Sequence, residues 1–197
     1  MVKQQITAIH DEIALWNAFR EGDKEAFASI YQLYVRPLLS YGYKVTSDST
    51  LVEDSVQDLF IELWHSRSNL SATDSVKFYL FRALRNKILR NKAKVEIEIL
   101  NDFSVEPSHL FEVSNETLMI DEEVYQLQIS QLQTSLQKLP KRQQEAINLR
   151  YYHDFSNEEV AQIMGVNYQS ACKFIYTGLR FLKENIIIPT LFYLLIS

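Results

Sequence analysis

The sequence predicts an all-α protein made of two small helical domains. Only four glycines and four prolines occur in 197 residues, well below average use. Apolar residues recur at helical spacing, whereas the strict alternation that is typical of strands is absent. Residues 95–120 lose this periodicity and separate the two helical halves. The predicted divisions are therefore a domain at 11–94, a linker at 95–120, a domain at 121–185 and an apolar tail at 186–197.

The first two predicted helices lie on either side of a short break at Gly22. One covers residues 11–20, and the other starts after Asp23, whose side chain can cap it. The apolar face of the second helix comprises Phe27, Ile30, Tyr31, Tyr34 and Leu38. We expect Pro37 to kink or end this helix, because proline lacks a backbone N–H and its ring clashes with the preceding turn.

A capping-box pattern at Thr50 and Glu53 predicts the start of a third helix. The apolar residues expected to face a core are Val52, Val56, Leu59, Phe60 and Leu63. The opposite face carries a mainly acidic stripe, formed by Glu53, Asp54, Gln57, Asp58, Ile61 and Glu62. Such a stripe is most simply a solvated surface, and a binding face for a basic partner is the functional alternative.

A polar loop at residues 66–75 precedes a strongly basic helix, which Thr73 or Asp74 can cap. Residues 77–94 contain seven cations and no acid, within a chain whose net charge is −5. Aromatic residues interleave with these cations at Phe78, Tyr79 and Phe81. Rings that stack on unpaired bases, beside cations that follow the backbone, are typical of a site for melted nucleic acid. The simpler interpretation is that the rings are core and the cations are merely solvated.

The stretch 95–120 carries six acids and no lysine or arginine, which indicates an acidic linker. The helical pattern resumes at Asp121, and one of its faces comprises Val124, Leu127, Leu132 and Leu136. Pro140, at a first helical position, is expected to open the next helix.

Residues 156–183 have the pattern of a helix-turn-helix, a module that binds duplex DNA. Ser156 and Glu159 form a capping box, and Gly165 can take the left-handed conformation that ends the first helix. On a helical wheel, one face of the second helix is predicted to pack inward; it comprises Ala171, Phe174, Ile175, Gly178, Leu179, Phe181 and Leu182. The opposite face, which carries no acid, comprises Gln169, Ser170, Cys172, Lys173, Tyr176, Thr177, Arg180 and Lys183. We interpret it as the surface that enters a major groove; an ordinary amphipathic helix is the alternative.

The sequence offers no pattern of a catalytic or metal site. Its lone cysteine excludes a disulfide framework, and its four histidines lack metal-ligand spacing. We therefore expect no enzyme activity, no cofactor, no metal and no small-molecule substrate. The first residues lack the apolar run of a signal peptide, and the tail is too short for a membrane span and broken by Pro189. We expect a cytoplasmic protein without membrane insertion, whose tail packs against the second domain or a partner.

Four blocks of the sequence, in order, resemble the extracytoplasmic-function sigma factors of the sigma-70 family, which direct bacterial RNA polymerase to promoters. They are VEDSVQDLFIELW (52–64), FYLFRALRNKILRNK (78–92), LPKRQQEAINLRYY (139–152) and FSNEEVAQIMGVNYQSACKFIYTGLRFL (155–182). The resemblance implies that 11–94 is sigma region 2 and that 121–185 is sigma region 4. It implies binding to core RNA polymerase and to promoter DNA, with an anti-sigma factor as a further partner. The apolar tail lies outside the common pattern of the family, and our hypothesis is that it docks on the anti-sigma factor.

The resemblance also implies roles for individual residues. Core polymerase would be gripped by Asp54, Gln57, Asp58, Phe60, Ile61 and Trp64. The minus-ten element would be contacted and melted by Lys77, Tyr79, Arg82, Arg85, Asn86, Lys87 and Arg90. The minus-thirty-five element would be read by Gln169, Ser170, Cys172, Lys173, Tyr176, Thr177 and Arg180. The loop Arg67–Asp74 would capture a flipped-out base, and the linker would thread into the polymerase cleft.

A two-domain transcriptional regulator that binds an operator is the alternative function. It shares the helix-turn-helix, but it gives no role to the acidic stripe or to the basic, aromatic helix. Within the resemblance, Cys172 and Phe174 stand where the family often carries lysine and arginine. Lys173, Gln169 and Tyr176 are then the stronger candidates for contacts with base edges.

Overall fold

The computed structural model describes residues 12–101 and 132–196, with side chains over 12–94 and 132–185. Every regular element within these ranges is helical, which confirms the predicted fold class. Contacts divide the chain into two compact units, Met1–Val105 and Glu106–Ser197. Among the described helices, none combines the length and the apolar character needed to cross a bilayer. The predicted linker lies largely outside the described residues.

Within residues 12–101 the first unit has four helices: α1 (12–20), α2 (Lys24–Val45), α3 (Ser49–Ser66) and α4 (Val76–Asn101). A 3-10 turn, Arg67–Asn69, leads from α3 into the loop before α4. The second unit contains α5 (132–138), α6 (Lys141–Ile147), α7 (Asn157–Met164) and α8 (Tyr168–Ile196). A π-helical turn, Asn148–Tyr152, follows α6.

Helices α2, α3 and α4 pack against one another around the core of the first unit. The five apolar residues of α3 that were expected to face a core are all buried, as predicted. Gly42 of α2 lies directly against Val52 of α3, where a Cβ would collide with the valine side chain. This close approach leaves the far side of α3 exposed to solvent. Tyr31, which was expected inside, is 42% exposed but rests edge-on against Phe60.

Two of the predicted helix starts in the first unit are wrong. Asp23 caps α2 as predicted, but α3 is capped by Asp48, whose carboxylate accepts the Leu51 N–H at 3.0 Å. The box at Thr50 is absent because the helix has already begun at Ser49. Helix α4 is capped by Ser75, which accepts the Phe78 N–H at 3.1 Å, and not by either neighbour before it. In each case a nearby Asp or Ser supplied an equally good cap.

Two prolines do not end their helices, and one predicted boundary is shifted. Helix α2 continues through Pro37 to Val45, so the proline does not end it; Tyr34, Leu38 and Tyr41 are buried on both sides of it and hold the helix in place. The backbone of α8 likewise remains helical through Pro189. Helix α4 runs to Asn101, into the predicted linker, since residues 95–101 contain neither glycine nor proline to end it.

The second unit forms the predicted helix-turn-helix. Ser156 and Glu159 make the complete capping box, with Ser156 N–H donating to Glu159 at 2.8 Å. Gly165 adopts φ 63° and ψ 39° at the end of α7, which confirms its predicted role. Asn167 then caps α8 by accepting the Ser170 N–H at 2.8 Å. The turn between α7 and α8 is thus held by hydrogen bonds at both ends.

Helix α6 supports α8 through a small apolar cluster of Leu139, Ile147 and Leu182, with Leu136 and Phe181 packed against it. Gly178 permits this close contact, because a Cβ there would lie 2.6 Å from Ile147 Cδ1. Of the residues of α8 predicted to face inward, Leu179 is 37% exposed, so this assignment is wrong. A helical wheel separates inside from outside poorly at the margin of an apolar arc.

The start of α6 and the turn after it also differ from expectation. Pro140 is the cap residue and not the first helical residue, so α6 begins at Lys141, one residue later than predicted. The Pro140 carbonyl accepts the Gln143 N–H at 2.8 Å. The π-helical turn was not predicted. Phe155 N–H donates to Leu149 O at 3.1 Å, and Asp154 adopts a left-handed φ of 54°, so the chain reverses compactly before α7.

Candidate nucleic-acid interfaces

Helix α3 presents the predicted acidic stripe on its outer face. Asp54, Gln57, Asp58 and Ile61 are all exposed, and Ile61 is an apolar side chain left 55% open to solvent. Phe60 was predicted to belong to this contact surface, but it is only 4% exposed and packs against Phe27 and Tyr31. Its assignment is therefore corrected: it supports the face from beneath.

Trp64 closes the end of the acidic stripe and is half-buried. Its ring lies 5.1 Å from that of Phe27, and the Arg67 guanidinium lies 4.4 Å above its centroid. Arg67 also donates a hydrogen bond to Trp64 O at 2.7 Å. The stack joins the end of α3 to the start of the following loop.

Helix α4 presents a narrower basic face than its sequence suggests. Tyr79, Arg82, Asn86 and Arg90 recur at helical spacing and form one outward stripe. The last three are exposed, and Tyr79 is half-buried, which raises the pKa of its hydroxyl. Within residues 12–94 neither Arg82 nor Arg90 forms an ion pair, so both charges are available to phosphate. Lys77, the remaining candidate at the start of α4, is half-buried.

The assignments of Arg85 and Lys87 to this basic face are wrong. They are only 5% and 6% exposed, because they flank the apolar side of α4 formed by Leu84 and Ile88. Lys87 Nζ lies 2.6 Å from Glu62 Oε1 and 3.8 Å from Asp58 Oδ2, both on α3. A cation that the sequence suggested for DNA is therefore neutralised within the protein.

A groove of about 180 Å³ runs between α3 and α4. Both helices contribute apolar and polar side chains to its walls, and α4 also contributes two cations; the lining residues are Leu59, Glu62, Leu63, Ser66, Tyr79, Ala83, Asn86, Lys87 and Arg90. Three of the four outward residues of α4 border this groove. The acidic face and the basic face are thus neighbours on adjacent helices.

The loop at residues 67–75 is anchored by helix α1. The Trp16 indole Nε1 donates to Ser71 O at 3.1 Å, and Arg20 Nε donates to Leu70 O at 2.7 Å. The side chains of Ser68, Asn69, Ser71, Ala72 and Asp74 remain exposed. Sequence reasoning missed both anchoring residues, because these contacts join positions 50 or more apart and no local pattern signals them.

Helix α8 turns its predicted reading face outward. Gln169, Lys173, Tyr176 and Arg180 are exposed, whereas Ser170, Cys172 and Thr177 are half-buried. The buried face contains Ala171, Ile175, Gly178 and Leu182, as the wheel predicted. Phe174 is half-buried and lies between the two faces.

Several of these outward residues are engaged within the second unit. Arg180 Nε lies 3.8 Å from Glu184 Oε1, one helical turn further on, and Thr177 Oγ1 donates to Lys173 O at 2.7 Å. Asn157 Nδ2 of α7 lies 3.6 Å from Cys172 Sγ, and the Cys172 thiol, through its interaction with Tyr168, raises the pKa of that phenol. Among the side chains that the structure describes at 132–185, Gln169, Lys173 and Tyr176 have no hydrogen bond or ion pair on this face.

Two family models match the chain. Sigma-70 region 2 matches residues 30–95, and Sigma-70, region 4 matches residues 129–182. Together these matches cover more than half of the 197 residues. The first includes α3 and most of α4, and the second includes the whole helix-turn-helix pair up to Leu182.

The chain is also similar to individual proteins of Bacillus subtilis (strain 168). It is 26% identical over 144 residues to the ECF RNA polymerase sigma factor SigM, covering 70% of this chain and 81% of that protein. It is 22% identical over 156 residues to the RNA polymerase sigma factor SigZ, covering 79% and 84%.

Solved structures of other proteins share the fold, and one of them illustrates the match. The sigma factor RpoE from Bartonella quintana, in its co-crystal structure with the anti-sigma factor NepR, matches with a TM-score of 0.63 at 22% identity. The match covers 82% of this chain and 97% of that chain.

Proposed function

This chain belongs to the sigma-70 family as a sigma factor of the extracytoplasmic-function type, and on that premise we propose that it binds core RNA polymerase and directs initiation through minus-ten and minus-thirty-five contacts. One observation carries the proposal: α3 exposes an acidic face, while the adjacent α4 exposes, beside a tyrosine, two arginines that form no ion pair within residues 12–94. Region 2 would span 11–94 and region 4 would span 121–185, joined by an acidic linker at 95–120.

Core polymerase would dock on the outer face of α3. Asp54, Gln57, Asp58 and Ile61 are exposed there, and Trp64 borders them. Acidic side chains around an exposed isoleucine suit a basic partner that also buries apolar surface, and the charge would accelerate association. Phe60 would contribute by supporting this face and not by touching the partner.

The minus-ten element would be opened along the stripe on α4. Arg82 and Arg90 can neutralise phosphates, Asn86 can donate to and accept from a base edge, and Tyr79 offers a ring for stacking. The loop Arg67–Asp74 would hold an extruded base, whose unstacking costs a few kcal/mol and so needs compensating contacts. Lys77 would contact the backbone at the start of α4.

The minus-thirty-five element would be read by α8 in the major groove. Gln169 and Lys173 lie on the exposed face within the first two turns, where a recognition helix contacts base edges. Ser170, Cys172, Tyr176, Thr177 and Arg180 would extend the contact along the groove and backbone. We regard Gln169 and Lys173 as the residues that set sequence preference.

An anti-sigma factor would hold the protein inactive until a signal arrives. The fold that this chain shares with RpoE of the NepR complex is compatible with such control. The proposal puts the protein in the cytoplasm with polymerase and chromosome, and phosphodiester chemistry would belong to the polymerase. The alternative, an operator-binding regulator, would use α8 alone.

Reconstitution with core RNA polymerase tests the proposal. Holoenzyme assembled from the purified chain should initiate run-off transcription at sites found by sequencing transcript starts after overexpression. An operator-binding regulator would neither co-purify with core in equal amounts nor start RNA. Failure to initiate at any mapped site, with a known sigma factor active in the same assay, would overturn the proposal.

A further inference from the structure

Helix α1 fastens the loop before α4 at two consecutive backbone carbonyls. Trp16 holds Ser71 O and Arg20 holds Leu70 O, while the neighbouring loop side chains face solvent. Trp16 is fully buried, so its indole N–H depends on the Ser71 carbonyl, and not on water, for its hydrogen bond. The backbone of the loop is thus fixed on the side of α1, while its neighbouring side chains remain exposed to solvent.

Trp16 also contacts the helix that follows the loop. Its ring lies 5.2 Å from the ring of Tyr79, which belongs to the outward stripe of α4. One buried side chain therefore touches both elements to which we assign recognition of the minus-ten strand. A shift of Trp16 would move the loop and Tyr79 together.

The two ends of the loop are secured by contacts that do not involve Trp16 or Arg20. At its start, Arg67 stacks on Trp64, and Leu70 N–H donates to Arg67 O at 3.3 Å. At its end, Thr73 Oγ1 accepts the Ser75 N–H at 3.2 Å, and Ser75 caps α4. Loss of the two α1 contacts would consequently free the middle of the loop without unwinding α4.

We propose that Trp16 and Arg20 are positioning residues that preset the middle of the loop for the captured minus-ten base. The inference rests on the proposed function, in which this loop receives the base. A loop ordered before binding loses less conformational entropy on binding, and the backbone that carries the exposed side chains of Asn69 and Ser71 would already be in place for the base. Neither Trp16 nor Arg20 needs to touch DNA.

The test uses holoenzyme reconstituted from the full chain, and a mapped promoter whose minus-ten positions are randomised. Trp16→Phe removes the indole N–H and keeps a ring, and Arg20→Gln removes the guanidinium. Each should lower the preference for the best base at one minus-ten position by about two- to tenfold, the range for one hydrogen bond. Preference at the minus-thirty-five element and affinity for core should be unchanged.

Two matched controls separate positioning from general loss of stability or charge. Ile30→Val trims the α2 core without reaching the loop, and Arg36→Gln removes an exposed cation of the same unit. Both should retain wild-type base preference. A relaxed preference in Ile30→Val equal to that in Trp16→Phe would reduce the effect to stability and overturn the inference.

Variants of the loop itself distinguish failure of positioning by α1 from failure of base capture by the loop. If Asn69→Ala and Ser71→Ala alter minus-ten selection but Trp16→Phe and Arg20→Gln do not, positioning by α1 is refuted. If none of the four changes selection at any minus-ten position, capture by the loop itself fails, and the inference fails with it. Because Arg20 is only half-buried, its variant folds even where Trp16→Phe does not.

Discussion

Lys87 Nζ donates to Glu62 Oε1 at 2.6 Å and so ties the basic helix α4 to the acidic helix α3. The two partners differ in environment, since the Lys87 side chain is 8% exposed and that of Glu62 is 63% exposed. The cation depends on the carboxylate for its solvation, whereas the carboxylate is already hydrated.

Removing the two partners should therefore have unequal effects on stability. Glu62→Ala leaves a buried ammonium with only Asp58 nearby and should lower the free energy of unfolding by about 1–2 kcal/mol. Lys87→Met replaces the cation by an apolar chain of similar length and should cost less. Urea unfolding followed by circular dichroism measures both; the reverse order would contradict this account of the pair.

The same burial predicts which cations govern the salt dependence of promoter binding. Replacing both Arg82 and Arg90 by glutamine should reduce the slope of log affinity against log salt by about 1.4–1.8, or 0.7–0.9 for each lost phosphate contact. Lys87→Met should leave the slope unchanged. Holoenzyme binding to a mapped promoter, titrated over salt, provides the measurement, and equal slopes for the double variant and the wild type would refute the assignment.

The reading face of α8 predicts a change in upstream preference. Gln169→Ala and Lys173→Ala should each alter the minus-thirty-five bases that are used, with a loss of about 1–3 kcal/mol on the best element. Lys138→Gln, which removes an exposed cation elsewhere in the second unit, serves as the control. Selection from promoters randomised upstream decides the matter: unchanged preference in both variants would remove α8 from base recognition.

The contact between Gly178 and Ile147 predicts a stability defect with a specific rescue. A Cβ at Gly178 would lie 2.6 Å from Ile147 Cδ1, so Gly178→Ala should cost about 1–3 kcal/mol by forcing α6 and α8 apart. Ile147→Val deletes the colliding methyl group. Thermal unfolding should find the double variant more stable than the sum of the single effects predicts, and strict additivity would show that the collision is relieved elsewhere.

The sequence-based predictions of local structure are correct where a short segment determines its own conformation. The capping box at Ser156, the left-handed glycine at 165 and the buried face of α3 are all confirmed, because each depends on residues within one or two turns. Helix starts failed where two cap residues competed, as at Asp48 and Thr50. Tertiary packing kept α2 helical beyond the proline at position 37, where the helix could have ended.

The sequence predicts which helix face is exposed at each candidate site better than it predicts which individual residues lie on that face. Helical spacing identified the exposed stripe through Arg82, Asn86 and Arg90. It could not separate Lys87 from these cations, because burial at the edge of a stripe depends on the neighbouring helix and on an acid 25 positions earlier. The contacts of Trp16 and Arg20 with the loop were beyond any local pattern.

Trp16 and Trp64 are the only tryptophans of the chain, and both lie in the aromatic cluster of the first unit. Indole fluorescence, excited at wavelengths that tyrosine does not absorb, therefore originates in the first unit, because the helix-turn-helix contains no tryptophan. Comparing this fluorescence with the circular dichroism of the whole chain separates the unfolding of the first unit from that of the second, without an added dye.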